Sequence, residues 1–199
     1  MAQDTRANIL DTAEALFSER GFYGVSLAAI ADRMRLTKQA LLHHFGSKEK
    51  LYGEVLERIS HRFRTIEDEI DTPGVAPDEV FCAYMMRLYQ LSQERPDQTR
   101  LLVRELLDNR RRANTAGTWY LTAFLQGLID RLKVLPDWQY ASEADCLALV
   151  YQLLGALNYY AISQPTLTGI FGSPAYAALD TAFPGRFERL VAGALTAGP

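Results

Sequence analysis

Apolar residues recur along this chain with a helical period. Ile9, Ala13, Leu16 and Phe17 stand at i, i+4, i+7 and i+8, one stripe of a helix that Gly21 is placed to end. Ser26 is positioned to cap a second helix, with Leu27, Ile30, Ala31 and Met34 on one face. Thr37 caps a third, flanked by Leu36 and Leu41 at the two positions of a hydrophobic staple. Gly46 and Ser47 end that helix and open a long one, in which Leu51, Val55, Ile59, Phe63, Ile66 and Ile70 keep one side apolar. Prolines divide the remainder. Pro73 and Pro77 bracket the break DTPGVAP, the expected domain boundary. Beyond it the pattern predicts helices from Pro77 to Glu94, Pro96 to Asn109, Ala113 to Leu135, Ser142 to Ser163 and Gly185 to Thr196. Gln164 to Pro184 holds three prolines and is ambiguous. No stretch alternates as a strand does, so the expected class is all-α. The expected organisation is a head over residues 1–48, a linking helix over roughly 47–70 and a second helical domain over 71–199.

Composition is that of a globular chain, with 48% hydrophobic and 23% charged residues among 199. Two cysteines, Cys82 and Cys146, are too few for a disulfide framework. The opening MAQDTRANIL lacks the apolar core of a secretory signal. The longest near-apolar stretch, Cys146 to Ile162, is interrupted by Gln152, Gly155 and Asn158, short of the roughly 18 residues that span a bilayer. These features predict a cytoplasmic protein without a membrane segment. The net charge of −3 hides an asymmetry: residues 1–64 hold ten Lys and Arg against eight Asp and Glu. Between 33 and 48, Arg33, Arg35, Lys38 and Lys48 occur with no acid. A polyanion can be attracted there, because screening confines attraction to about 8 Å.

Two short helices, Ser26–Met34 and Thr37–Phe45, with a tight connection fit a helix-turn-helix, whose second helix enters the DNA major groove. Ala31 is small where the two helices must cross. Leu41 and Phe45 are expected to face Leu27, Ile30 and the stripe of the first helix. Lys38, Gln39, Leu42 and His43 then face outward, and Gln39 suits adenine as Lys38 suits guanine or phosphate. Thr37, His44 and Lys48 are candidate phosphate ligands, the last at a helix start where free N–H groups favour anions.

The stretch NILDTAEALFSERGFYGVSLAAIADRMRLTKQALLHHFGSKEKLYGEVLERI resembles the DNA-binding domain of the tetracycline-repressor (TetR) family of bacterial regulators. ILDTAEALFSERGF corresponds to its first helix, SLAAIADRM to its second, and LTKQALLHHFGSKEKL to its recognition helix and the start of the fourth. The resemblance implies a dimeric, all-helical repressor that binds a palindromic operator in double-stranded DNA and is released by a small-molecule effector. It implies a phosphate contact for Ser26, base-facing roles for Lys38, Gln39 and Ala40, and backbone contacts for His43, His44 and Lys48. Two positions depart from the family. Its frequent turn glycine is Arg35 here, where a left-handed backbone costs about 1–2 kcal/mol or adds a phosphate contact. Its frequent tyrosine is Leu42, which offers only apolar contact.

The second domain is acidic and aromatic-rich, with eight of the ten tyrosines beyond residue 70. Tyr84, Arg87, Leu88, Arg104, Trp119, Tyr151 and Asn158 are the candidate effector-pocket residues, apolar or aromatic groups with a few polar ones among them. Small residues Ala144, Ala148, Gly155 and Ala156, with Leu149, Leu153 and Leu157, and Phe187, Leu190, Val191 and Leu195 on the last helix, suit a dimer seam of four helices. No nucleophile elbow, phosphate loop or zinc-protease motif occurs, and no histidine has a partner at catalytic or metal spacing, so neither enzyme activity nor a cofactor or metal is expected. The alternative reading is a DNA-binding regulator without a ligand, or one switched through Cys82 and Cys146.

Overall fold

The structure, a computed structural model, describes residues 2–70, 74–112 and 121–199. These form α1 (Ala2–Arg20), α2 (Leu27–Arg33), α3 (Lys38–Phe45), α4 (Lys48–Ile70), α5 (Pro77–Glu94), α6 (Pro96–Arg112), α7 (Thr122–Lys133), α8 (Glu143–Phe171) and α9 (Ser173–Ala197), with no strand among the described residues. The all-α expectation therefore holds.

Local chemistry sets the boundaries of the short helices. Ser26, Thr37 and Ser47 each accept a bond from the backbone N–H three residues on, at 3.1, 3.1 and 3.2 Å, so three helix starts are capped by hydroxyls. The end of α2 is a six-residue reversal. The N–H of Leu36 donates to the Ala31 carbonyl at 2.9 Å and that of Arg35 to Asp32 at 3.1 Å. This pairing requires a left-handed residue between them, and Arg35 supplies it with φ of 57°. The end of α3 uses Gly46 instead, with φ of 75°.

Packing divides the chain into two compact units, Met1–His61 with Asp97–Leu121, and Arg62–Pro96 with Thr122–Pro199. The division is not linear in sequence, since α6 packs within the first unit. There Leu101 and Leu102 are buried, as are Ile9, Phe17, Leu51, Tyr52 and Val55 of the same unit. Phe17 and Phe22 meet the Tyr52 ring edge-on at 4.9 and 5.0 Å. Most polar groups here find partners, though Ser18 Oγ, Arg58 Nε, Gln98 Oε1 and Arg104 Nε are buried without a hydrogen bond among the described residues. Tyr52 donates to the buried Glu105 carboxylate at 2.7 Å. Gln98 donates to Glu14 at 2.7 Å, Arg58 bridges Glu14 and Asp11, and Arg104 donates to the Glu19 carbonyl at 3.0 Å.

In the second unit α8 packs against α7 and α9, and α5 against α9. Leu149, Val150, Leu153 and Leu157 of α8 and Phe187, Val191 and Leu195 of α9 are buried in its core. The Trp138 indole donates to the Leu195 carbonyl at 3.0 Å, satisfying one acceptor left open in the last turn of α9. The ambiguous stretch 164–184 is helical except at Gly172, whose φ of 82° breaks the run. Pro165 and Pro184 lie inside helices that sequence reasoning started or stopped at them. A proline removes one ladder bond, and the neighbouring turns continue regardless. Ser163 and Thr181, just before the two prolines, donate to the carbonyls of Tyr159 and Ala177. The helix expected over 113–135 is found as Thr122–Lys133: Leu121, Val134 and Leu135 are not helical, and 113–120 lie outside the described residues.

By length and composition alone α8 could cross a bilayer, a test that the core helix of a globular protein also passes. Leu149, Val150, Leu153 and Leu157 on its packed side are buried, whereas Leu147, Tyr151 and Tyr159 are exposed.

Two stability outcomes follow from these contacts. Arg35→Gly relieves the left-handed backbone and, after glycine's entropic cost, raises unfolding free energy by about 0.5–1 kcal/mol in urea titration. Tyr52→Phe leaves the buried Glu105 one donor poorer and lowers it by about 1–2 kcal/mol in the same titration.

Candidate nucleic-acid interface

The candidate reading surface is built from the inside outward. Leu41 and Phe45 of α3 are buried, and so are Leu27, Ile30 and Ala31 of α2 and Ile9, Leu16 and Phe17 of α1. Burial of these side chains fixes the rotation of α3 about its own axis. The opposite side is left in solvent: Lys38, Gln39, Leu42 and His43 are all exposed. Ala40 and His44 are half-buried at its margins, and the His43 and His44 rings meet edge-on at 5.9 Å.

The flanking candidates surround this face in sequence and differ in role. Ser26 and Thr37 are exposed, and each uses its oxygen as a helix cap. A capping hydroxyl accepts, so its hydrogen is still able to donate to a phosphate. Arg35 is exposed on the left-handed turn between α2 and α3, in the position where its departure from glycine was noted. Lys48 is half-buried in the first turn of α4, with its ammonium 4.3 Å from the centre of the Phe22 ring. Partial burial lowers its pKa, and Glu49 opposes that shift. Phe22 was not singled out by sequence reasoning. The only available signal was an aromatic just after the glycine that ends α1.

The candidate effector residues that the structure describes fall in both compact units. Tyr84 and Leu88 are buried on α5, and the Tyr84 hydroxyl donates to the Phe63 carbonyl at 2.7 Å while Arg131 lies 5.2 Å from its ring. Arg87, on the same helix, is held by Glu69 at 2.9 Å and Glu94 at 3.0 Å, and the bond to Glu69 raises its pKa most. Arg104 belongs to the other compact unit. Tyr151 is 51% exposed, Asn158 is half-buried, and Trp119 lies outside the described residues. The expected dimer seam also sorts into two sets. Leu149, Leu153, Leu157, Phe187, Val191 and Leu195 are core of their own unit, whereas Ala144, Ala148 and Gly155 are exposed and Leu190 is half exposed. Sequence periodicity marks both sides of such a helix alike.

Comparison with known proteins agrees with the reading of the head. Residues 9–55 match the profile of the bacterial regulatory proteins of the tetR family. The HTH-type transcriptional regulator UidR of Escherichia coli is 42% identical over 67 residues, covering 32% of this chain and 34% of that protein. The HTH-type transcriptional repressor NicS of Pseudomonas putida is 29% identical over 106 residues, 53% of this chain and 50% of NicS. The matches thus span a third to a half of these relatives. A solved structure of the fatty acid degradation regulator FadR from Bacillus halodurans superposes on 94% of the chain and 93% of its own with TM-score 0.68. At 14% identity that likeness is one of fold. Residues 9–55 are thus similar to the N-terminal domain of the tetR family of bacterial regulatory proteins, and the whole chain shares the fold of a solved regulator structure.

Proposed function

We propose that the protein is a DNA-binding transcriptional repressor that acts as a homodimer and is released from a palindromic operator by a small-molecule effector. The observation that carries the reading is the outward Lys38, Gln39, Leu42 and His43 face of a capped helix whose other side is buried. Lys38 and Gln39 read base edges, Leu42 meets a thymine methyl and Ala40 lets the helix approach closely. Ser26, Arg35, Thr37, His43, His44 and Lys48 hold the sugar-phosphate backbone. In functional terms residues 1–48 read DNA, and 71–199 bind the effector and the second protomer.

Two-fold symmetry places equivalent recognition helices about 34–36 Å apart on successive major grooves. Leu147, Tyr151 and Tyr159 on α8 recur every four or eight residues, and Gly155 between them leaves open space where a side chain would stand. This stripe, with Leu190, supports pairing of copies through α8 and α9. The effector acts by favouring the conformer that does not fit the operator, with typical coupling of roughly 1–3 kcal/mol. The reading with a thiol switch gains no support. Burial raises the pKa of both thiols, so the reactive thiolate is disfavoured at Cys82 and Cys146.

Binding to DNA from upstream of its own gene tests the reading. Lys38→Ala with Gln39→Ala lowers affinity for the preferred sequence by about 1–3 kcal/mol per lost base contact and relaxes selectivity. Lys48→Ala weakens all sequences alike and reduces the salt slope by about 1. Selectivity unchanged by the double substitution contradicts the base-reading roles. Leu147→Glu with Tyr151→Glu, both exposed, yields a folded monomer in analytical ultracentrifugation. Retention of a dimer contradicts the proposed seam.

A further inference from the structure

A groove of about 800 Å³ lies in the second unit, between the first turns of α5, the connection after α7 and the last turns of α9. None of the residues that sequence reasoning put forward as effector ligands lines it. That size suits a drug-sized molecule. Its floor is apolar, with Leu135 and Leu195 buried and Cys82 and Met86 half-buried. Met86 adds a side chain that adapts to irregular shapes. Its rim is acidic: Asp78, Glu79, Asp137 and Glu188 stand against one cation, Arg189. Three of the same carboxylates face the floor of the groove. The Cys82 thiol is pushed up by burial and then by Asp78, Glu188 and Glu79, so those carboxylates act on the floor as well as the rim. A field that disfavours a thiolate there favours a cation.

The groove also stays clear of the proposed dimer seam. At about 100° per residue, Leu179 and Leu190 of α9 share one side, whereas Glu188 and Ala192 lie roughly 160° from Leu190. Pairing through Leu190 therefore leaves the groove open.

We propose that this groove binds a small organic cation with an apolar body, which rests in the floor while its charge faces the carboxylates of α5 and α9. As the site of the effector the assignment rests on the regulator reading; as a binding site it does not. Titration calorimetry of the full chain with tetraphenylphosphonium, and with tetraphenylborate of the same shape and opposite charge, tests it. The cation is expected to bind one site per chain. Asp78→Asn, Glu79→Gln and Glu188→Gln together, all at exposed positions, weaken it about tenfold at low salt. Ala83→Trp, which fills the groove, abolishes the site, and circular dichroism checks that each variant folds. Tetraphenylborate, repelled by the same carboxylates, is expected not to bind the wild-type groove. No cation binding at about 1 mM, or equal affinity in wild type and both variants, overturns the proposal. DNA binding by the same proteins without the cation reports separately: its absence sinks the regulator reading and leaves the groove standing.

Discussion

The constraint on which the rest depends is the burial of Leu41 and Phe45 beneath α3. A helix of eight residues has little stability of its own, and two large apolar side chains held in a core supply what local propensity does not. The same burial decides orientation. With those two residues inward, Lys38, Gln39, Leu42 and His43 have no direction left but solvent. The capped starts at Ser26 and Thr37 and the reversal at Arg35 set where each short helix begins and how sharply one gives way to the next. The chemistry of the head is thus a by-product of its packing, and an outward polar face appears where the core needs none of the side chains.

The first unit carries more than a reading head. Glu14, Gln98, Glu105 and Arg104 tie α6 to α1 and α4; the Gln98–Glu14 and Tyr52–Glu105 bonds are costly to break, because each loss leaves a buried polar group poorer. A segment far along the sequence is therefore part of the same cooperative unit as the helix-turn-helix. The described part of α6 is thus bonded directly to the two helices that flank the helix-turn-helix in this unit.

Much of the head was legible in the sequence because its signals are local. A hydroxyl three residues before a helix turn, a glycine at a left-handed position and a staple of two leucines each act within a few residues, so α2, α3 and the start of α4 fall where expected. Even the odd residue, Arg35, was readable, since the reversal demands a positive φ whatever residue occupies it. The second unit was less legible for the opposite reason. Its helices run through Pro165 and Pro184, where packing outweighs one missing hydrogen bond. The seven effector candidates were chosen by residue type along apolar stripes, and type does not separate Tyr84, locked in the core, from Tyr151, open to solvent. Nor can a linear pattern show that Cys82, Leu135 and Leu195, far apart in sequence, share one groove.

The most direct measurement is selection of bound duplexes from random-sequence DNA by the full chain, followed by methylation protection of the selected sites. The account predicts a symmetric sequence with guanine N7 protected in two successive major grooves, their centres about one helical turn apart on one face of the duplex. Absence of any selected sequence, or protection confined to the minor groove, would contradict it.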